Sequence, residues 1–159
     1  MYLTAYLDLC FRKIKGHLIS RMSRTAEMID AVDNALLGTF QDLNVNSLRI
    51  RSDNGSQLTL SGYEKHLRTL RIKHETIHAH TLEDNGDIES FHNSIKTDYI
   101  RPNEFRNFND ASIEIEKTFS DYNECRPHAS IDNLLPREIK GKFLNDPAFR
   151  KDSRKKKLM

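Results

Sequence analysis

Two acids, Asp53 and Glu89, have the side-chain type and the setting for work on phosphate groups. Asp53 closes "LRIRSDNG", a short β-prone run ended by Asn54 and Gly55, so its carboxylate would leave the C-terminal end of a strand. Taken alone, Asp-Asn-Gly is an ordinary turn. Glu89 stands in "NGDIESFHNSIK", where Ile88, Phe91 and Ile95 recur at i, i+3 and i+7 and predict a helix with one apolar stripe. Glu89, Asn93 and Lys96 fall at i, i+4 and i+7 on the adjoining face. A carboxylate for a hard cation, an amide for a polar contact and an ammonium for a phosphate thus share one side of that helix. The plainer alternative for Glu89 is a solvated acid near a helix N-terminus.

Those side chains need a scaffold, and 159 residues suffice for one domain with a core. The pattern predicts a hairpin from Tyr2–Leu9 and Lys13–Ser20, a helix over 24–40, the strand before Asp53 and a second helix around Tyr63, Leu67 and Leu70. An extended run from Ile72 to His80 follows, then a loop over Thr81–Asp87 and the Glu89 helix from about Ile88 to Tyr99. A last helix covers about Asn109–Asn123, with Ile113, Ile115 and Phe119 available for burial, before Pro127 and Pro136 break the chain into turns. This order is a mixed α/β one.

At 37% hydrophobic and 30% charged, the chain is polar. It holds neither a run of about 20 apolar residues nor a signal peptide, so no membrane role and a cytoplasmic location are expected. The two cysteines, Cys10 and Cys125, are far apart and read as reduced and structural. The last ten residues hold six Lys or Arg against one Asp, while the chain as a whole carries +2, so the body is net negative. That end reads as a disordered basic arm suited to phosphates or to solubility alone. His74, His78 and His80 invite a zinc reading, yet no further ligand has suitable spacing, and strand-end histidines are expected. His92 either flanks the Glu89 face or packs against Phe91.

Together, "IRSDNGSQLT", "NGDIESFHNSIK" and "DYNECRPHASIDNLLP" resemble the integrase core of DDE transposases of insertion sequences, a family related to retroviral integrases. In that family the second acid ends a strand as S-D-N-G and the third begins a helix as N-G-x-x-E. Thirty-five residues separate Asp53 from Glu89, as in the family. The resemblance covers about Tyr2 to Pro136 and implies an RNase H-like mixed sheet flanked by helices. It implies a partial catalytic core over 1–100, a helical part over 101–140 and a basic, disordered tail over 141–159. Asp53 and Glu89 become the catalytic, metal-holding pair for Mg²⁺ or Mn²⁺. Lys96 matches a position that contacts the DNA end, and Asn93 and Arg126 join it as DNA contacts. Tyr122, Asn123, Arg126, Pro127 and His128 match a Y-N-x-x-R-P-H segment whose role the sequence does not disclose.

The family's first Asp, on its first and central strand, has no counterpart here. Asp8 aligns instead with a second-strand position not assigned to metal. The expectation is therefore an N-terminally truncated core without that strand, able to hold one metal ion and impaired in two-metal chemistry. Its unpaired strand edges would favour pairing with another copy or with a full-length transposase. Two functions stay open. One is a DNA strand-transfer core acting on transposon ends and target; the other is a non-catalytic DNA-binding regulator.

Overall fold

A computed structural model describes residues 1–37, 48–52, 61–76 and 82–151, with the side chains of residues 82–85 and 87 left aside. Strands β1 (Tyr2–Asp8) and β2 (Lys13–Ser20) form an antiparallel hairpin, and α1 (Thr25–Leu37) returns across it. Strands β3 (Arg49–Ser52) and β4 (Lys73–Thr76) are joined by α2 (Ser61–Thr69) and pair in parallel, Arg49 opposite Lys73 and Ser52 opposite Thr76. Then come α3 (Leu82–Ile95), a π-helical turn (Lys96–Ile100), α4 (Phe108–Glu124), a 3-10 turn (Ala129–Ile131) and α5 (Pro136–Asn145). The mixed α/β order is the expected one. Among the described residues no ladder joins β1 to β3, so the strands stand as two separate pairs.

One irregularity lets the hairpin serve two layers. Tyr6 pairs with Gly16 and Leu7 with Ile14, leaving Lys15 as an extra residue in β2. This bulge reverses the side-chain alternation of "KIKGHLIS". Leu3, Ala5, Leu7, Ile14 and Ile19 consequently face one core cluster with Phe91 and Ile95 of α3 and Ile115, Phe119 and Tyr122 of α4. Gly16 faces the other way, onto Ala35 of α1. On that side Tyr6 joins a second cluster built on Val32, Leu36, Tyr63, Leu67 and Ile72. The hydroxyls of Tyr6 and Tyr63 lie 2.8 Å apart, and burial pushes Tyr6 far above the ordinary tyrosine range, so the pair stays protonated. The first cluster crosses residue 100, so the helical part expected over 101–140 shares a core with the segment before it.

Four expectations need correction. Residues 82–87 are helical rather than a loop, and Asn85-Gly86 takes no left-handed turn. The acids Glu83 and Asp84 favour a helix start there, at the cost of one interior glycine. Ile113 is 59% exposed, because the buried stripe of α4 runs through Ala111, Ile115, Thr118, Phe119 and Tyr122, and residue 113 lies about 160° around the helix from both residue 111 and residue 115. Pro136 starts a helix instead of breaking one: it has no N–H to leave unpaired at the first turn, and the Glu138 carboxylate accepts the Leu135 N–H. The tail does not begin at 141. Residues 141–145 complete α5 and 147–151 are helical, with the Arg150 guanidinium donating to the carbonyls of Phe143 and Leu144; residues 152–159 lie outside the described set.

Asn123 explains part of the segment whose role the sequence hides. Its Oδ1 accepts the Ile14 N–H at 2.8 Å and its Nδ2 donates to the Ile14 carbonyl at 3.1 Å. The side chain thus pairs with β2 as a neighbouring strand would and fixes the end of α4 to the hairpin. Asn123→Ala would strand both backbone groups at the edge of the first cluster. A loss of about 2–3 kcal/mol is expected in denaturant unfolding with the m-value unchanged.

Candidate functional site

Helix α3 is where the predicted site residues come together. Phe91 and Ile95 are almost fully buried against the hairpin and α4, as the stripe requires, and Ile88 packs beside them. Each such burial contributes about 1.5–3 kcal/mol, which holds the opposite face to solvent. That face carries Glu89 and Asn93 one turn apart, both exposed. Glu89 is the eighth residue of α3, two turns in, so the helix N-terminus does not account for its placement.

Both side chains line an open cavity of about 530 Å³ together with Gly86, Ser94, Asp98 and Arg126. Arg126 reaches it from beyond α4. It donates to Asp98 at 2.5 Å and to Ser94 Oγ at 3.4 Å, so its charge is partly matched within the protein. Partial burial, the largest single influence, would lower the guanidinium's value; its interactions with Asp98 and Tyr99 together outweigh this and hold it above the ordinary one. Lys96 is exposed and opens the π-helical turn, and it does not line this cavity. The wider turn begins at that residue and changes the register in which later side chains follow Glu89. Three of the expected residues, Glu89, Asn93 and Arg126, thus share one recess, and Lys96 lies a turn beyond.

Asp53 lies outside the described residues, one position past the end of β3. The strand end itself is secured: Ser52 Oγ is 2.9 Å from His74 Nε2, and the His74 ring meets Tyr63 edge-on at 5.5 Å. Desolvation lowers His74 below its ordinary value and keeps it neutral. His74 is thus tied into the β3–β4 pair; His78 and His80 lie outside the described residues. His92 packs on Phe91, ring centroids 5.2 Å apart.

The Asp8 carboxylate accepts the N–H groups of Cys10 at 2.7 Å and Phe11 at 3.1 Å, closing the hairpin turn. That occupation is structural. Both cysteines are free, with Cys10 half-buried and Cys125 exposed. Among the described residues no group of three His, Cys, Asp or Glu could hold a metal ion, and no helix is long and apolar enough to cross a membrane.

Within the described residues no hydrogen bond or ion pair engages the Glu89 carboxylate, whereas Glu64, Glu75, Glu114, Glu116 and Glu124 each meet a cationic or histidine partner. An exposed, uncommitted carboxylate facing a polar cavity suits a hard divalent cation that retains part of its water shell. Glu89, with Asp53, fits Mg²⁺ or Mn²⁺ by donor chemistry. Sequence reasoning missed Asp98 and Ser94 in this cavity.

Comparison with known proteins gives a consistent result. Residues 70–136 match the family described as Integrase core domain. The chain is 28% identical over 142 residues to the transposase for insertion sequence element IS904 of Lactococcus lactis, covering 87% of this chain and 54% of that protein. It therefore spans about half the length of that curated relative. Its fold matches the catalytic core of BIV integrase with a TM-score of 0.61 at 17% identity, over 86% of this chain and 83% of the other. The HTLV-2 integrase catalytic core, solved in complex with magnesium in a dimeric form, gives 0.59 at 19% identity, over 87% and 91%.

Proposed function

We propose that this chain, which matches the Integrase core domain family over residues 70–136 and shares its fold with retroviral integrase catalytic cores, is the catalytic core of a DNA transposase, with Asp53 and Glu89 as the acids that hold a divalent metal. The observation that carries the reading is the convergence of Glu89, Asn93 and Arg126 on one polar cavity of about 530 Å³. Glu89 and Asn93 share one motif and one helix face, and the fold brings Arg126 to them from a separate motif more than 30 positions on.

Mg²⁺ or Mn²⁺ held by Asp53 and Glu89 would supply Lewis-acid stabilisation of charge on the phosphate and a more acidic oxygen nucleophile. The chain's own residues arrange the rest. Glu89 presents its carboxylate from the solvent face of a helix whose opposite face Phe91 and Ile95 anchor in the core. Asn93, one turn on, offers amide hydrogens to the strand without adding charge. Lys96 offers a point charge to a phosphate farther along. Arg126, braced by Asp98 and Ser94, ties α3 to the segment after α4 and presents its remaining donors to the cavity. Transposon ends and target DNA are the substrates in this reading, and pairing with another copy or with a longer transposase is its assembly.

A second reading, a non-catalytic DNA-binding partner of a longer transposase, draws on the separation of β1–β2 from β3–β4. Among the described residues no ladder joins these pairs, and the edges they present are ones that another chain could cover. One assay separates the two. Supercoiled plasmid incubated with the chain should be nicked in Mg²⁺ or Mn²⁺ and left intact in EDTA; DNA binding with no nicking under either metal would favour the regulator.

A further inference from the structure

Beside the Glu89 cavity, and sharing Ser90 and Ser94 with it, lies a smaller recess of about 110 Å³. Arg12 comes to it from the turn between β1 and β2, and His128 and Ser130 from the segment after α4; Phe91 and Tyr122 complete the lining. Three stretches remote in sequence thus contribute donors to one small space. Arg12 is held there at φ 55°, a left-handed backbone that a residue with a Cβ seldom adopts. Such a conformation persists only where the surroundings impose it, and it is enriched at binding sites.

His128 adds an independent sign. Its ring packs against Tyr122 with centroids 4.6 Å apart. Its Nε2 is the one buried side-chain nitrogen or oxygen among the described residues that lacks a hydrogen-bond partner. Buried polar groups are nearly always paired, so an unpaired one asks for a missing partner. Burial first, then the charges of Arg126 and Arg12, push the ring's value down to about 4, so the imidazole is neutral at pH 7. With the proton on Nε2 it is a donor.

No carboxylate lines the recess. The guanidinium would repel a cation, and an apolar ligand would leave His128 Nε2 unpaired. An oxyanion accepts from the imidazole N–H and is attracted by the guanidinium. At about 110 Å³ the recess has room for more than a single water molecule.

We propose that this recess takes a phosphate oxyanion, held by Arg12, His128 Nε2–H and the hydroxyls of Ser90, Ser94 and Ser130. Resting on the transposase reading above, the oxyanion is a phosphodiester of the DNA strand that runs along α3 past Glu89. Arg12 and His128 are then strand-positioning residues one recess away from the reacting phosphate.

The test has two arms. In the first, the His128 ring resonances of the full chain are followed by NMR at pH 7 during titration with inorganic phosphate, with chloride as the ionic-strength control. A saturable shift is expected, and Arg12→Gln should weaken it at least fivefold while leaving Tm unchanged. No shift of the His128 ring, or an equal shift with chloride, overturns the proposal. In the second arm, binding of duplex DNA is measured against salt for the wild type and Arg12→Gln. The variant should bind more weakly and lose about one from the slope of log K against log salt. A phosphate-responsive recess with unchanged DNA binding in Arg12→Gln overturns the DNA assignment and leaves a site for free phosphate. A phosphate-responsive recess in a wild type that binds no DNA overturns the transposase reading while supporting the recess.

Discussion

Replacing Glu89 by Gln is expected to lower metal-dependent DNA nicking by on the order of 10³-fold, with Tm shifted by no more than about 2 °C. The two readouts separate because of where the side chain sits. Glu89 is exposed on the face of α3 opposite Phe91 and Ile95, and no partner among the described residues relies on its charge. The amide keeps the shape and the helix preference, so folding should be indifferent. What changes is the donor: a neutral amide oxygen binds Mg²⁺ far more weakly than a carboxylate. Several kcal/mol of transition-state stabilisation pass through that cation, and each 1.36 kcal/mol is a factor of ten in rate. A plasmid-nicking time course in Mg²⁺, run beside a thermal melt, reads both. Full activity in a folded Glu89→Gln would remove this residue from the chemistry.

The largest effect on stability is expected from a single methyl group. Gly16 is buried in β2 against α1, and a Cβ added there would meet the backbone nitrogen of Ala35 at 2.3 Å, its Cα at 2.4 Å and its Cβ at 2.6 Å. Nothing at that contact is the far end of a flexible side chain, so relief requires helix and strand to move apart. That movement would open the second cluster, where Val32 and Leu36 of α1 pack with Tyr63 and Leu67. Gly16→Ala should therefore cost about 3 kcal/mol or more and lower Tm by roughly 6–12 °C. Gly141→Ala supplies the contrast, since its added Cβ would meet nothing within 4 Å. On the exposed surface of α5 it should be neutral or slightly stabilising. A thermal melt of the two variants side by side would check both the crossing and the bulge that directs Gly16 toward it.

Much of the scaffold was legible in the sequence because it rests on local periodicity. The hairpin, α1, α2 and α4 follow from alternation or from helical spacing, and the apolar stripe of α3 was read correctly through Phe91 and Ile95. What escaped depends on contacts distant along the chain. The bulge at Lys15 cannot be read from "KIKGHLIS", because the alternation is broken by the demand for Ile14 on one layer and Gly16 on the other. Asn123 looked like a helix-end residue, and its partner is the backbone of Ile14, 109 positions away. Asn-Gly at 85–86 carries a strong turn signal, which the continuous helix from Leu82 overrides. In the site, Glu89, Asn93 and Arg126 were legible through spacing and resemblance. The pairing of Arg126 with Asp98, and the recess formed by Arg12 and His128, required the fold to bring three stretches together.

Everything chemical in this proposal depends on one divalent ion being shared between residues 53 and 89. Mn²⁺ binding, counted by electron paramagnetic resonance in the full chain and in Asp53→Asn, Glu89→Gln and the double variant, tests that directly. If the ion is shared, each single substitution weakens the same binding event, and the double variant falls well short of the sum of the two losses. Mn²⁺ affinity unchanged by either substitution, or two independent losses that add in full, would contradict a shared site.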